Sequence, residues 1–137
     1  MNEIFADAFY FIAILNPQDQ YHQAATEYTR HLNRPLVTTH WVLVELADAL
    51  HTPDVRQRTE QFIRRIHADT SITIISDLKP WFERGLDLYR DRRDKSWPLT
   101  DCISFSIMRE RGIRDALTGD RHFEQAGFVA LFSSGIS

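Results

Sequence analysis

Four acidic side chains stand where folding alone gives them little to do. Asp7 closes the apolar run Ile4-Phe5-Ala6, and Glu45 is set in Trp41-Val42-Leu43-Val44-Glu45-Leu46-Ala47. Asp101 opens the stretch Leu99-Thr100-Asp101-Cys102-Ile103-Ser104-Phe105, and Asp120 ends Ala116-Leu117-Thr118-Gly119-Asp120. A carboxylate pressed into apolar surroundings must be paired, protonated or bound to a cation. No lysine or arginine lies within four residues of Asp7 or Glu45. If the fold gathers these acids, each close pair repels by about 4 kcal/mol at about 4 Å and an effective dielectric near 20. A divalent cation relieves that repulsion, and carboxylate oxygens suit the hard ions Mg²⁺ or Mn²⁺. Such a site fits hydrolysis of a phosphodiester by in-line attack of water.

Each acid also has an ordinary reading. Asp7 can turn the chain at a strand end, and Glu45 can be a solvated acid on an amphipathic helix. Asp101 suits a first helical turn after a Thr cap, where the helix dipole favours negative charge. Asp120 can be a turn residue after Gly119. The other chemistries have less support. The histidines (22, 31, 40, 51, 67 and 122) show no His-x-x-x-His spacing, although His122 is two residues from Asp120. Cys102 is expected to fill the core, since nothing nearby would make it a thiolate nucleophile. No Gly-x-Ser-x-Gly turn or glycine-rich phosphate loop is present. A receiver-like phosphoryl-transfer domain would need a lysine at a late strand end, which the sequence does not supply.

Spacing supplies the elements that must hold these acids. Residues 3–7 read as a strand, and Phe9 to Leu15 as an apolar helix stopped by Asn16-Pro17. Tyr21, Ala24, Ala25, Tyr28 and Leu32 mark one helical face. A strand over 35–39 leads through Thr39, a suitable N-cap, into a helix over 40–51. Val55, Thr59, Phe62, Ile63 and Ile66 mark the next helix, and residues 71–76 read as a buried strand. A helix over 79–93 is expected to carry Phe82, Leu86 and Tyr89 inward. Another, over 100–111, should end at Gly112. Strands at 116–118 and 128–132 complete the chain. Alternating strands and helices predict a parallel sheet covered on both faces, with ligands outside the carboxyl ends of the strands. Asp7 and Asp120 fall at that edge. The charge run Arg90-Asp91-Arg92-Arg93-Asp94-Lys95 reads as a self-paired helix end, or as cations for RNA phosphates.

At 137 residues, with 43% hydrophobic residues, the chain is expected to be one domain spanning 1–137 with a buried core. A formal net charge of −3 argues against a general polyanion-coating protein but leaves room for a local basic rim. A single cysteine precludes an internal disulfide and suits a reducing cytoplasm. The start lacks a basic leader and no apolar run approaches about 20 residues, so no membrane association is expected.

On these residues the chain resembles the PIN-domain nucleases, and among them the VapC-like toxins of type II toxin–antitoxin pairs. The similarity runs nearly end to end and is most specific in Leu99-Thr100-Asp101-Cys102-Ile103-Ser104 and Leu117-Thr118-Gly119-Asp120-Arg121-His122-Phe123. It implies a three-layer α/β/α sandwich around a parallel sheet. It also implies one or two Mg²⁺ or Mn²⁺ ions held by Asp7, Glu45, Asp101 and Asp120. Expected partners are an RNA substrate, a cognate antitoxin and a second copy in a homodimer. Ala8 departs from the family's usual Thr or Ser after the first Asp, and Thr118 is left as the hydroxyl near the metals. The alternative that this departure favours is a PIN module that binds RNA or a partner without cutting.

Overall fold

Residues 2–133 are described by the computed structural model. β1 (Ile4–Ala6) is wholly buried and runs directly into α1 (Ala8–Leu15), which stops at Asn16 because Pro17 follows. After α2 (His22–Arg30) come β2 (Leu36–Thr39) and α3 (His40–Ala49). Thr39 caps α3 by accepting a hydrogen bond from the Val42 amide at 3.1 Å. The chain continues through α4 (Arg56–Ala68), β3 (Ile72–Ile75), α5 (Leu78–Asp91) and α6 (Leu99–Arg111). Gly112, at φ 68°, ends α6 in the left-handed conformation that favours glycine. β4 (Asp115–Leu117), α7 (Arg121–Gln125) and β5 (Val129–Ala130) follow.

All the strand pairings are parallel, in the order β3-β2-β1-β4-β5. From β1 the chain builds outward to β2 and β3, then returns across the sheet to β4 and β5. Right-handed crossovers therefore put α1–α4 on one face and α5–α7 on the other. The packed pairs agree: α1 with α2 and α3, α3 with α4, α5 with α6, and α6 with α7. The order reverses between β1 and β4, whose ends lead to Asp7 and Asp120. Ligand crevices form at such a reversal in open parallel sheets. The core of Phe5, Phe11, Val37, Leu46, Ile103, Phe105 and Leu117 lies between sheet and helices. Among the described residues no helix is long and apolar enough to cross a membrane.

Three sequence expectations are corrected. β3 is the sheet edge, where Thr73 is exposed and only Ile75 is fully buried, because strand order and not composition decides burial. Phe82, Leu86 and Tyr89 of α5 are 41%, 44% and 52% exposed and do not point inward. The helix instead applies Trp81, Gly85 and Leu88 to the core. At α6 the N-cap is Pro98, so Thr100 lies inside the helix and does not cap it.

Candidate metal centre

Asp7 is the N-cap residue of α1 but spends no side-chain hydrogen bond on capping. Its carboxylate is buried and accepts from the Thr118 hydroxyl at 2.9 Å. Thr118 in turn accepts from the Asp120 amide at 3.1 Å, so one buried hydroxyl ties the end of β1 to the loop after β4. Ala8 is buried beside Asp7 with no hydroxyl of its own, and the hydroxyl that Asp7 does meet is Thr118, at the end of the neighbouring strand β4.

Asp120 caps α7 through the His122 amide at 2.9 Å. Sequence periodicity does not reveal this five-residue helix, and it sets the direction of both Asp120 and His122. It is pinned by Phe123, fully buried and edge-on to Phe105 at 4.9 Å between ring centroids. Asp101 comes from the first turn of α6 and is buried, with its carboxylate turned into the cluster. The His122 ring Nδ1 lies 3.1 Å from Asp101 Oδ2 and 3.3 Å from Asp120 Oδ1. Asp101, Asp120 and His122 thus offer ligand atoms all within 4.8 Å of one another.

Glu45 occupies a different position from the one its apolar neighbours suggest. It is exposed, as is Val44 next to it at 58%, because α3 turns this face to solvent. Glu45 stands at the rim of the cluster, and neither it nor Asp7 belongs to the close set of ligand atoms formed by Asp101, Asp120 and His122.

The electrostatics follow from this crowding. Burial raises the Asp7 carboxyl to about 7 against the pull of the Thr118 hydrogen bond, with Glu45 and Asp120 adding to the rise. Burial, followed by the charges of Asp7, Asp120 and Glu45, pushes Asp101 up to about 8. Partial desolvation and the Asp120 charge also raise Glu45. No lysine or arginine is hydrogen-bonded or ion-paired to these carboxylates among the described residues, and His122 is the ring the fold places against Asp101 and Asp120. Clustered buried carboxylates that repel one another and attract protons are the donor set a hard divalent cation fits.

No family model and no curated protein sequence matches the chain. Among solved structures it superposes on Mycobacterium tuberculosis VapC20, described as a sarcin–ricin loop cleaving toxin, with a TM-score of 0.85. The match covers 93% of this chain and 98% of that one at 23% sequence identity. The chain has a PIN-like fold. In this PIN-like chain the reversal of strand order carries Asp7 and Asp120, α6 brings Asp101, and α3 brings Glu45 to the rim.

Sequence alone relates His122 only to Asp120, two residues away, because its reach to Asp101 needs α7 and α6 to pack. The charge run at the end of α5 is largely self-paired, with Arg90 bonded to Asp91 and Arg92 to Asp94. Trp97 is buried, donates to Gln125 at 2.9 Å and carries Arg92 over its ring, so it packs the loop and is not free to stack on a base. Cys102 is buried beside Asp101, and burial raises its thiol, which makes it inert core.

Proposed function

We propose that this protein is a divalent-metal-dependent endoribonuclease acting in the cytoplasm as the toxin of a toxin–antitoxin pair. The reading rests above all on the knot of Asp7, Asp101 and Asp120 at the strand-order reversal of a PIN-like fold, where no lysine or arginine among the described residues neutralises it. Asp7, Asp101 and Asp120 are the residues that would hold Mg²⁺ or Mn²⁺, with His122 oriented on two of them. The ion supplies charge neutralisation at the phosphate and a more acidic water.

The remaining work belongs to the chain. Thr118 keeps Asp7 aimed into the cluster, and Phe123 anchors the helix that aims Asp120. Glu45, at the open rim with its carboxyl raised, is placed to take a proton from the attacking water as a general base. RNA reaches the site from the exposed Glu45 side. A nuclease of this kind needs an inhibitor, and the acidic pocket suits an antitoxin arginine or lysine that competes with the metal.

Purified protein, freed of any antitoxin, is to be incubated with total RNA and structured RNAs, with and without Mg²⁺ or Mn²⁺. Cleavage that requires metal and is lost in Asp101→Asn supports the reading. RNA binding without cleavage under any metal would replace it with the binding-module reading that Ala8 favours.

A further inference from the structure

A second set of metal-ligating atoms lies apart from the carboxylates. His40 begins α3 and His67 sits in the last turn of α4, and their Nε2 atoms are 3.2 Å apart. The ring centroids are 5.4 Å apart. His67 Nδ1 lies 3.0 Å from the Ile63 carbonyl oxygen. A carbonyl only accepts, so Nδ1 must donate, and the lone pair of His67 is fixed on Nε2, facing His40. Donation from the second ring nitrogen to a backbone carbonyl is the support that metal-bound histidines commonly have. Two nitrogens at about 2.0–2.1 Å from a tetrahedral metal lie about 3.3 Å apart, which nearly matches the gap between these two rings. Without an ion His40 Nε2–H donates to that lone pair; once the His40 proton moves to Nδ1, small rotations of the two surface rings let both Nε2 lone pairs meet one ion. His67 also lines a groove of about 910 Å³ between α3 and α4, which gives an ion an approach from solvent.

We propose that His40 and His67 form a binding site for a borderline divalent cation (Zn²⁺, Ni²⁺ or Cu²⁺) that clips the start of α3 to the end of α4. Imidazole selects these ions over Mg²⁺ and Mn²⁺, and the affinity order rises from Ni²⁺ to Cu²⁺. The site is therefore chemically separate from the oxygen-rich centre. Water fills the remaining coordination positions. The proposal stands whether or not the protein cuts RNA, since it uses none of the residues of that site.

The test uses the untagged full chain with Mg²⁺ in excess. Substoichiometric Cu²⁺ is added while the histidine ring protons are followed by NMR, with assignments from His40→Gln and His67→Gln. The signals of His40 and His67 are expected to broaden first. Calorimetry with Ni²⁺ alone as titrant should show at least a tenfold loss of affinity in either variant, and no further loss in the double variant. Earlier broadening of His22, His31 or His51 than of His40 and His67, or unchanged Ni²⁺ affinity in either variant, overturns the proposal. The broadening is read on the wild-type protein, so its outcome does not depend on how well a variant folds.

Discussion

The carboxyl groups of Asp7 and Asp101 carry the cost of the site. Both are held above the unfolded value of about 3.9, at about 7 and about 8. The metal-free folded state therefore binds protons that the unfolded chain has released. Their stabilising contribution is complete below about pH 4 and is lost as pH rises through 7 to 8. Within that window each extra proton held costs about 1.4 kcal/mol of stability per pH unit. Metal-free protein should show a Tm that falls between pH 5 and pH 8 in scanning calorimetry. Mg²⁺ should raise Tm more at pH 8 than at pH 5. Asp7→Asn should flatten the metal-free pH slope and leave Tm at pH 8 equal or higher, because a buried charge has been neutralised. A Tm several degrees lower in that variant would assign Asp7 a structural role instead. The sequence carried the identity of these residues, since acids ending apolar runs are visible in it. It did not carry the partnership of His122 with Asp101 or of Thr118 with Asp7. Those contacts span 21 and 111 residues of chain and exist only after the layers pack.

At the scale of elements, periodicity located the helices but did not choose their buried faces. On α5 two neighbouring apolar stripes compete, one through Trp81 and Leu88 and one through Leu78, Phe82, Leu86 and Tyr89. A hydrophobic pattern alone favours the second, which has more apolar residues. The decision rests with Gly85, which lets α6 approach so closely that an added Cβ would lie 2.3 Å from Ile103 Cγ1 and 3.0 Å from its backbone. Gly85→Ala thus sets two effects against each other. Alanine improves helix propensity by about 1 kcal/mol, whereas overpacking against backbone costs about 1–3 kcal/mol. Packing is expected to win, with a Tm several degrees below wild type and reduced metal affinity, because α6 carries Asp101. A Tm at or above wild type would mean that α5 and α6 separate at little cost. α7 escaped the sequence for a related reason. Five residues are too few for a periodic signal, and its stability comes from Phe123 in the core.

Over the whole molecule, the stripe that α5 does not use inward remains to be covered. Leu78, Phe82, Leu86 and Tyr89 follow one another along the helix, and Trp41 of α3 lies flat near Phe82 at 6.5 Å. Val44, 58% exposed on α3, adds to the apolar surface of this chain. Contiguous apolar surface of this kind marks an interaction site more often than a free surface. The flanking charges of α5 are of both signs, with Lys79, Arg84 and Arg90 against Glu83 and Asp87, so an antiparallel copy of the same helix can meet opposite charges without a second kind of partner. If the chain pairs as the family resemblance implies, this stripe is a self-complementary surface it offers for that contact. Phe82→Glu should therefore weaken self-association at least tenfold in sedimentation experiments. Circular dichroism and metal-dependent cleavage should be unchanged, because the Phe82 side chain is solvent-exposed and none of the acids lies on α5. If wild type and variant both sediment as monomers, the stripe is left for a different chain. An antitoxin helix laid across it should then bind wild type and lose affinity for Phe82→Glu, whether or not its cationic end reaches the Asp101 cluster.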